Sequence, residues 1–398
     1  MPLYNLGQLV REDNVPKNQT YVYTYDNSGN ITSKKIYSLT AQGLTPIGTS
    51  TTKSYSYSTG TWGDLLTSFN GGSITYDGIG NPTKYYDGKT FTWEGRRLVG
   101  AVSGSKTMSF TYNDEGIRTS KTVAGVTTNY YYNGSQLIAE ETNGKVKVYL
   151  YNSTGVIGFR YRTSSYGTYT WDTFFYEKNL QGDITAVYAS TGVKKISYTY
   201  DAWGNAVTTY YNGASATNLA NPFTYRGYYY DTDLGLYYLN SRYYDSNTGR
   251  FISPDLPDVV TATPHALTDK NLYAYCDNNP VMRTDGDGEF WNYVIGGIVG
   301  GIVGAFLGWK TAEESGQDVL SGILTGAALG TVTGLIVSSG NVAMISGGLS
   351  SVASKATTDI MGATMYGTDT GSWEDYTLAF ISGSTTGLIG NKRSSTKK

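Results

Sequence analysis

Few residues in this chain could do covalent chemistry, and they stand apart from one another. There is one histidine, His265, and one cysteine, Cys276. A single cysteine excludes an intramolecular disulfide framework and a cysteine metal cluster. A single histidine excludes a histidine-rich metal site and leaves one candidate for any histidine-based triad. His265 sits in the Pro- and Thr-rich stretch 261–268, which reads as an exposed loop rather than a catalytic position. Towards the C-terminus the acids are scattered: Glu313, Glu314, Asp318, Asp359, Asp369, Glu374 and Asp375. Glu313 and Glu314 read as a solvated turn. Trp373-Glu374-Asp375 reads as a helix start, where carboxylates are favoured. A nuclease or deaminase needs a denser polar constellation than this. No metal or cofactor is expected.

Charge is equally uninformative about a polyanionic partner. With 30 basic and 32 acidic residues the net charge is −2. A groove tracking phosphates needs a basic excess, so no nucleic-acid partner is expected. The one basic cluster, Lys392, Arg393, Lys397 and Lys398, reads as a solvated terminus.

The elements that would have to position any site are more legible. The chain holds 38 Tyr and 50 Gly but only 9 Pro. Tyr suits a pleated, half-buried surface, and Gly supplies the positive φ of tight turns. Tyr-Asp/Asn-x-x-Gly recurs at Tyr25, Tyr76, Tyr112, Tyr151 and Tyr200, with copies one residue longer at Tyr230 and Tyr244 and one shorter at Tyr4. The Asp or Asn can accept from downstream backbone N–H groups and start a turn, and Gly ends it. Flanking residues alternate, as in Tyr21-Val22-Tyr23-Thr24-Tyr25, which is strand patterning. Residues 1–250 therefore read as consecutive β-hairpins. A second signature follows in two blocks. Arg242-Tyr243-Tyr244-Asp245 runs through Gly249-Arg250-Phe251 to Pro254-Asp255, and Asn271-Leu272-Tyr273 runs through Asn278-Asn279-Pro280 to Asp285-Gly286-Asp287-Gly288.

Together these features resemble the bacterial YD-repeat (RHS-type) proteins over roughly residues 1–289, with 242–289 matching the RHS repeat-associated core. The resemblance implies a mainly β fold: a β-hairpin spiral or shell over 1–241, closed by the core. It also implies that the shell encloses a C-terminal polypeptide, often a toxin, for delivery in bacterial competition. In such proteins paired aspartates of the core release that polypeptide by self-cleavage. Carried over by position, Asp255 and Asp285 are the pair and Arg250 is the basic residue that would orient a carboxylate. Like charges held together let one carboxyl act as acid and the other as base. The cut would fall near Gly288–Glu289. This chain departs from the usual pattern: Asp255-Leu256 and Asp285-Gly286 stand where relatives read Asp-Pro, Glu289 stands where Leu is common, and the 30-residue gap between the aspartates is long. The plainer reading is that both aspartates only bond turn backbone.

After Gly288 the composition changes. Residues 290–309 and 319–354 carry no charge, and the Tyr-Asp turns stop. Gly296, Gly300, Gly304 and Gly308 are spaced by four, as are Gly322, Gly326, Gly330 and Gly334. That places each set on one helical face and predicts a helical, glycine-zipper tail over 290–398. Gly inside a helix costs about 1 kcal/mol relative to Ala, so the helices need close packing. Two readings stand. Phe290–Trp309 and Val319–Val337 could contact or cross a membrane over 290–337, bracketed by Trp291, Tyr293 and Trp309. Alternatively the tail is a soluble packed module between shell and effector.

Three functional readings follow: an encapsulating shell whose partner is its own C-terminal effector region, together with an immunity protein; a self-cleaving aspartyl protease core that frees a membrane-active tail; and a surface protein that binds carbohydrate on exposed rings. Met1-Pro2-Leu3-Tyr4 lacks the basic and apolar regions of a signal peptide, and the first residues fall inside a repeat. The expectation is a portion of a longer secreted or cell-surface protein.

Overall fold

The computed structural model describes residues 7–60, 63–152, 155–162, 170–216, 219–255 and 271–285. The Tyr4 copy of the repeat, His265, the expected cut at Gly288–Glu289 and the whole glycine-rich tail lie outside them. All the described residues belong to one compact unit, Met1–Trp291. Among them no helix is long and apolar enough to cross a membrane.

The described chain is nearly all strand, as the repeats predict. Six strands, β1–β6 (residues 11–73), form a first sheet; fourteen, β7–β20 (residues 75–210), form a second; four, β21–β24 (residues 229–251), form a third. Within each sheet every strand pairs with its neighbour in sequence. Most connections are turns of two to five residues, which can only return the chain antiparallel to itself. The twelve residues 39–50 between β3 and β4 are a longer link between strands that also pair antiparallel.

The Tyr-Asp turns form as their residues require. Asp26 Oδ1 accepts the backbone N–H groups of Ser28 (2.9 Å) and Asn30 (2.8 Å), with Gly29 at φ 78°. Asp77 and Asp201 repeat the pattern. The residue after the glycine completes it: the side-chain amides of Asn30, Asn81 and Asn205 each donate to the second oxygen of the turn aspartate at 2.9 Å. The tyrosine before the turn has its own task. Tyr25, Tyr57, Tyr76, Tyr112, Tyr151 and Tyr200 each donate a hydroxyl hydrogen bond to the carbonyl of a buried Leu or Ile upstream, between 2.5 and 3.0 Å. Each ring thus buries apolar area while its polar tip satisfies a carbonyl.

The core divides into two apolar clusters. One joins the first hairpins to the third sheet, and the other lies under the strands around Tyr130–Tyr198; Tyr200 and Tyr229 pack against both. The third sheet is central: Leu236–Leu239 and Arg242–Asp245 are buried at every position. A strand buried on both faces must neutralise every charge it carries. This one does so through side chains far away in sequence. Asp231 meets Arg118 and Lys121 at 2.8 Å, and Tyr85 donates to Asp245 at 3.0 Å.

The beginning and end of this unit are tied together. Leu9 N–H donates to the Asn278 carbonyl (2.9 Å), and the Asn278 side chain donates to the Gly29 carbonyl (2.7 Å). Glu12 accepts from the Ala202 N–H (2.9 Å), and Lys34 pairs with Asp201 (2.8 Å). Residues 223–255 and 271–285 therefore form a closing core seated against hairpins from both ends of the strand succession.

Candidate functional site

The closing core brings three charged side chains together out of water. Arg242 opens β23 (Arg242–Asp245), whose strand ends in the Asp245 turn. There Gly249 N–H donates to the Asp245 carbonyl at 2.9 Å, and Gly249 has φ 70° with the Trp203 ring 2.8 Å from where a Cβ would stand. Only glycine fits that position. The chain then returns through β24 (Arg250–Phe251) and runs beside residues 271–274, with Phe251 N–H bonded to the Tyr273 carbonyl and Asp255 N–H to the Leu272 carbonyl. That pairing sets Asp255. Asp285 arrives from the other side after a tight reversal in which Cys276, Asp277 and Asn278 all have positive φ, between 50° and 60°. Three consecutive left-handed non-glycine residues cost roughly 1–2 kcal/mol each, so the surrounding packing must impose them. The backbone N–H of Asp285 donates to the Tyr228 hydroxyl at 2.9 Å, which also lies 3.0 Å from the Tyr275 hydroxyl and 2.8 Å from Thr284 Oγ1.

The two aspartates share one guanidinium nitrogen. Arg242 Nη2 is 2.8 Å from Asp255 Oδ2 and 3.4 Å from Asp285 Oδ2. Both oxygens touch the same atom, so they lie within about 6 Å of each other, inside the range of like-charge coupling. Asp255 is 8 % exposed and Asp285 2 %. Arg242 is further held by the Leu272 carbonyl (3.2 Å) and by the Phe251 ring, 3.6 Å from the guanidinium carbon. Arg96 donates to the Asp255 carbonyl at 2.9 Å and also bonds the Pro254 carbonyl.

Arg250 lies elsewhere. Its guanidinium donates to Asn30 Oδ1 (3.0 Å), the Asp64 carbonyl (2.8 Å) and Asn271 Oδ1 (3.3 Å), fastening the closing core to the first hairpins. Arg242, not Arg250, is the arginine placed on the two carboxylates. Strand alternation could not have chosen between them, because both flank the Tyr-Asp turn and both are buried. Cys276 is next to this cluster electrostatically: burial, and then the charge of Asp285, push its thiol well up. It is a neutral thiol and no nucleophile. Among the described residues no group of three or more His, Cys, Asp or Glu is arranged to hold a metal.

A second buried network lies at Asp231. Burial raises its carboxyl, but Arg118 and Lys121 outweigh burial and hold it below the ordinary range. Arg118 is fully buried, with its guanidinium carbon 4.4 Å from the Tyr238 ring centroid and 4.8 Å from that of Tyr130. These two ion pairs lock the third sheet to the second.

Comparison with known proteins places these residues in context. A family model described as the teneurin YD-shell matches residues 172–281. The tRNA nuclease WapA of Bacillus subtilis is 37% identical over 300 residues, covering 73% of this chain and 12% of that protein. The tRNA3(Ser)-specific nuclease WapA of Bacillus spizizenii is 36% identical over the same length and shares. This chain thus spans about an eighth of the length of the curated relatives it matches. Among solved structures, the crystal structure of TcdB2-TccC3-Cdc42 superposes with a TM-score of 0.50 and 20% identity, covering 72% of this chain and 15% of the other. That likeness is one of fold.

Proposed function

We propose, since this chain is a YD/RHS-repeat protein, that its described residues are the closing end of a toxin shell, which houses the polypeptide that follows residue 289 and carries it to a target cell. The names of the relatives, nucleases acting on tRNA, support a toxin as the kind of cargo such a shell carries, and with it a secreted or surface location. The observation that carries the reading is the cross-linking of the closing core to both ends of the strand succession, at Leu9, Gly29 and Asn30 on one side and at the Trp203 and Gly204 carbonyls on the other. A wall sealed this way can keep a segment from proteases. In the stretch 290–391 trypsin has only Lys310 and Lys355 to cut. Under native conditions both should resist trypsin, and both should be cut once urea unfolds the chain. Cleavage at the unfolded rate in the native chain would contradict an enclosed tail.

A second reading is favoured by the pairing of Asp255 and Asp285 on Arg242. In an aspartyl mechanism one carboxylate takes a proton from water, the water oxygen adds to the peptide carbonyl, and the other carboxyl gives its proton to the departing amide nitrogen. Here the bond broken would lie near Gly288–Glu289. Intact mass under denaturing conditions tests this. A parent cut near Glu289 beside an uncut Asp285→Asn variant supports self-cleavage, and an uncut parent leaves the triad as a structural ion cluster.

A further inference from the structure

A cavity of about 460 Å³ opens beside the Asp201 turn, away from the Arg242 cluster, and neither the shell nor self-cleavage accounts for it. Its walls carry Lys17, Lys34 and Lys53. Strands β3 (Ile31–Ser38) and β4 (Thr51–Tyr57) place Lys34 directly opposite Lys53 in register. Like charges in facing positions destabilise a sheet unless something compensates them. Asp201, the only acid on the wall, compensates Lys34 at 2.8 Å and is itself only 3 % exposed. Lys17 is half-buried and donates to the Asn205 carbonyl at 2.5 Å. Among the described residues the Lys53 ammonium has no hydrogen-bond or ion-pair partner. With three ammonium groups and one carboxylate, the wall carries an excess of two positive charges. Glu12 lines a neighbouring cavity that shares Asp201, and its carboxyl also acts on Lys17 and Lys34.

The remaining wall is aromatic and amide. Tyr86 and Phe69 meet edge to face at 4.7 Å, Tyr21 lies under the Lys34 ammonium at 4.8 Å, and the mouth is set by exposed Asn70 and Asn247. Gly72 lets Tyr86 close this wall: a Cβ there would stand 2.1 Å from the Tyr86 carbonyl oxygen. We infer that this cavity binds a phosphomonoester borne on a sugar or similar polyol, with the dianion at Lys53 and Lys17 and the carbon ring against Tyr86 and Phe69. A phosphomonoester carries close to two negative charges at neutral pH, which matches the excess on the wall. The volume lies within the range of small-ligand sites.

Titration calorimetry of the full chain with inorganic phosphate, glucose 6-phosphate and glucose tests the inference. Glucose 6-phosphate should bind severalfold tighter than phosphate, and glucose alone should not bind. Lys53→Gln should weaken glucose 6-phosphate by roughly tenfold or more, the loss expected of one charge-assisted contact. The melting temperature of that variant without ligand should equal or exceed the parent's, because an uncompensated repulsion is gone. No binding of either phosphate at millimolar concentration, or equal affinity in Lys53→Gln and parent, would overturn the site. Equal affinity for phosphate and glucose 6-phosphate would overturn the sugar and leave free phosphate as the ligand.

Discussion

Arg242 is the residue on which the closing core depends most. It faces two carboxylates, at 2.8 and 3.4 Å, in a place 2–8 % exposed. Arg242→Met should cost on the order of 3–5 kcal/mol in urea unfolding, because buried carboxylates lose their shared counter-charge. Adding Asp255→Asn should recover part of that loss. A cost near zero for Arg242→Met would show that the cluster is not coupled to folding. Glu12 provides a pH signature at the same scale. Burial, and then Asp201, push its carboxyl up to about 7. The folded chain therefore keeps a proton that the unfolded chain releases near the ordinary 4.5. Its contribution is full below that value and is lost as pH rises towards 7. Asp201 and Asp231 shift downward, so their contributions change only in more acidic solution. Urea unfolding should show greater stability at pH 5 than at pH 8, with Glu12 supplying up to about 3 kcal/mol of the difference. Glu12→Gln should flatten this dependence, and an unaltered slope would place its origin in another group.

At the scale of the element, the hairpin turn is the unit, and two glycines separate its conformational cost from its packing cost. Gly88 and Gly249 both have positive φ, at 86° and 70°. A Cβ at Gly88 meets nothing within 4 Å, whereas one at Gly249 stands 2.8 Å from the buried Trp203 ring. Gly88→Ala should cost about 1 kcal/mol from the left-handed backbone alone, and Gly249→Ala distinctly more, with overpacking adding about 1–3 kcal/mol. Equal costs in thermal unfolding would mean that Trp203 yields easily. These turns were legible beforehand because Asp or Asn, two residues and a glycine carry their own geometry. The turn from Asn179 to Asp183 was not, although Asn179 Oδ1 accepts from Gln181 and Asp183 N–H at 3.0 Å. Lys178 stands where the repeat has Tyr, so the pattern missed it. The asparagine after the turn glycine, at 30, 81 and 205, is a further turn signal visible in the sequence. The pairing of Arg242 with Asp255 and Asp285 could not be read from local spacing. It depends on residues 271–274 lying beside 251–255, and no turn motif encodes that.

At the scale of the whole described unit, the closing core is what fastens a succession of hairpins at both of its ends. Each hairpin alone would be marginal, since two strands cannot bury a core. The third sheet supplies the buried surface and, through Asp231, Asp245 and Arg250, a polar partner for each group of hairpins it touches. This predicts cooperative loss of structure across distant segments. Arg250→Met removes the bonds to Asn30, the Asp64 carbonyl and Asn271 together. Hydrogen–deuterium exchange read by mass spectrometry tests the claim most directly. If the core holds both ends of the strand succession, exchange in Arg250→Met should quicken together in residues 9–31, 201–205 and 271–279, while 106–142 keep the parent's protection. Faster exchange confined to the neighbours of residue 250 would contradict it.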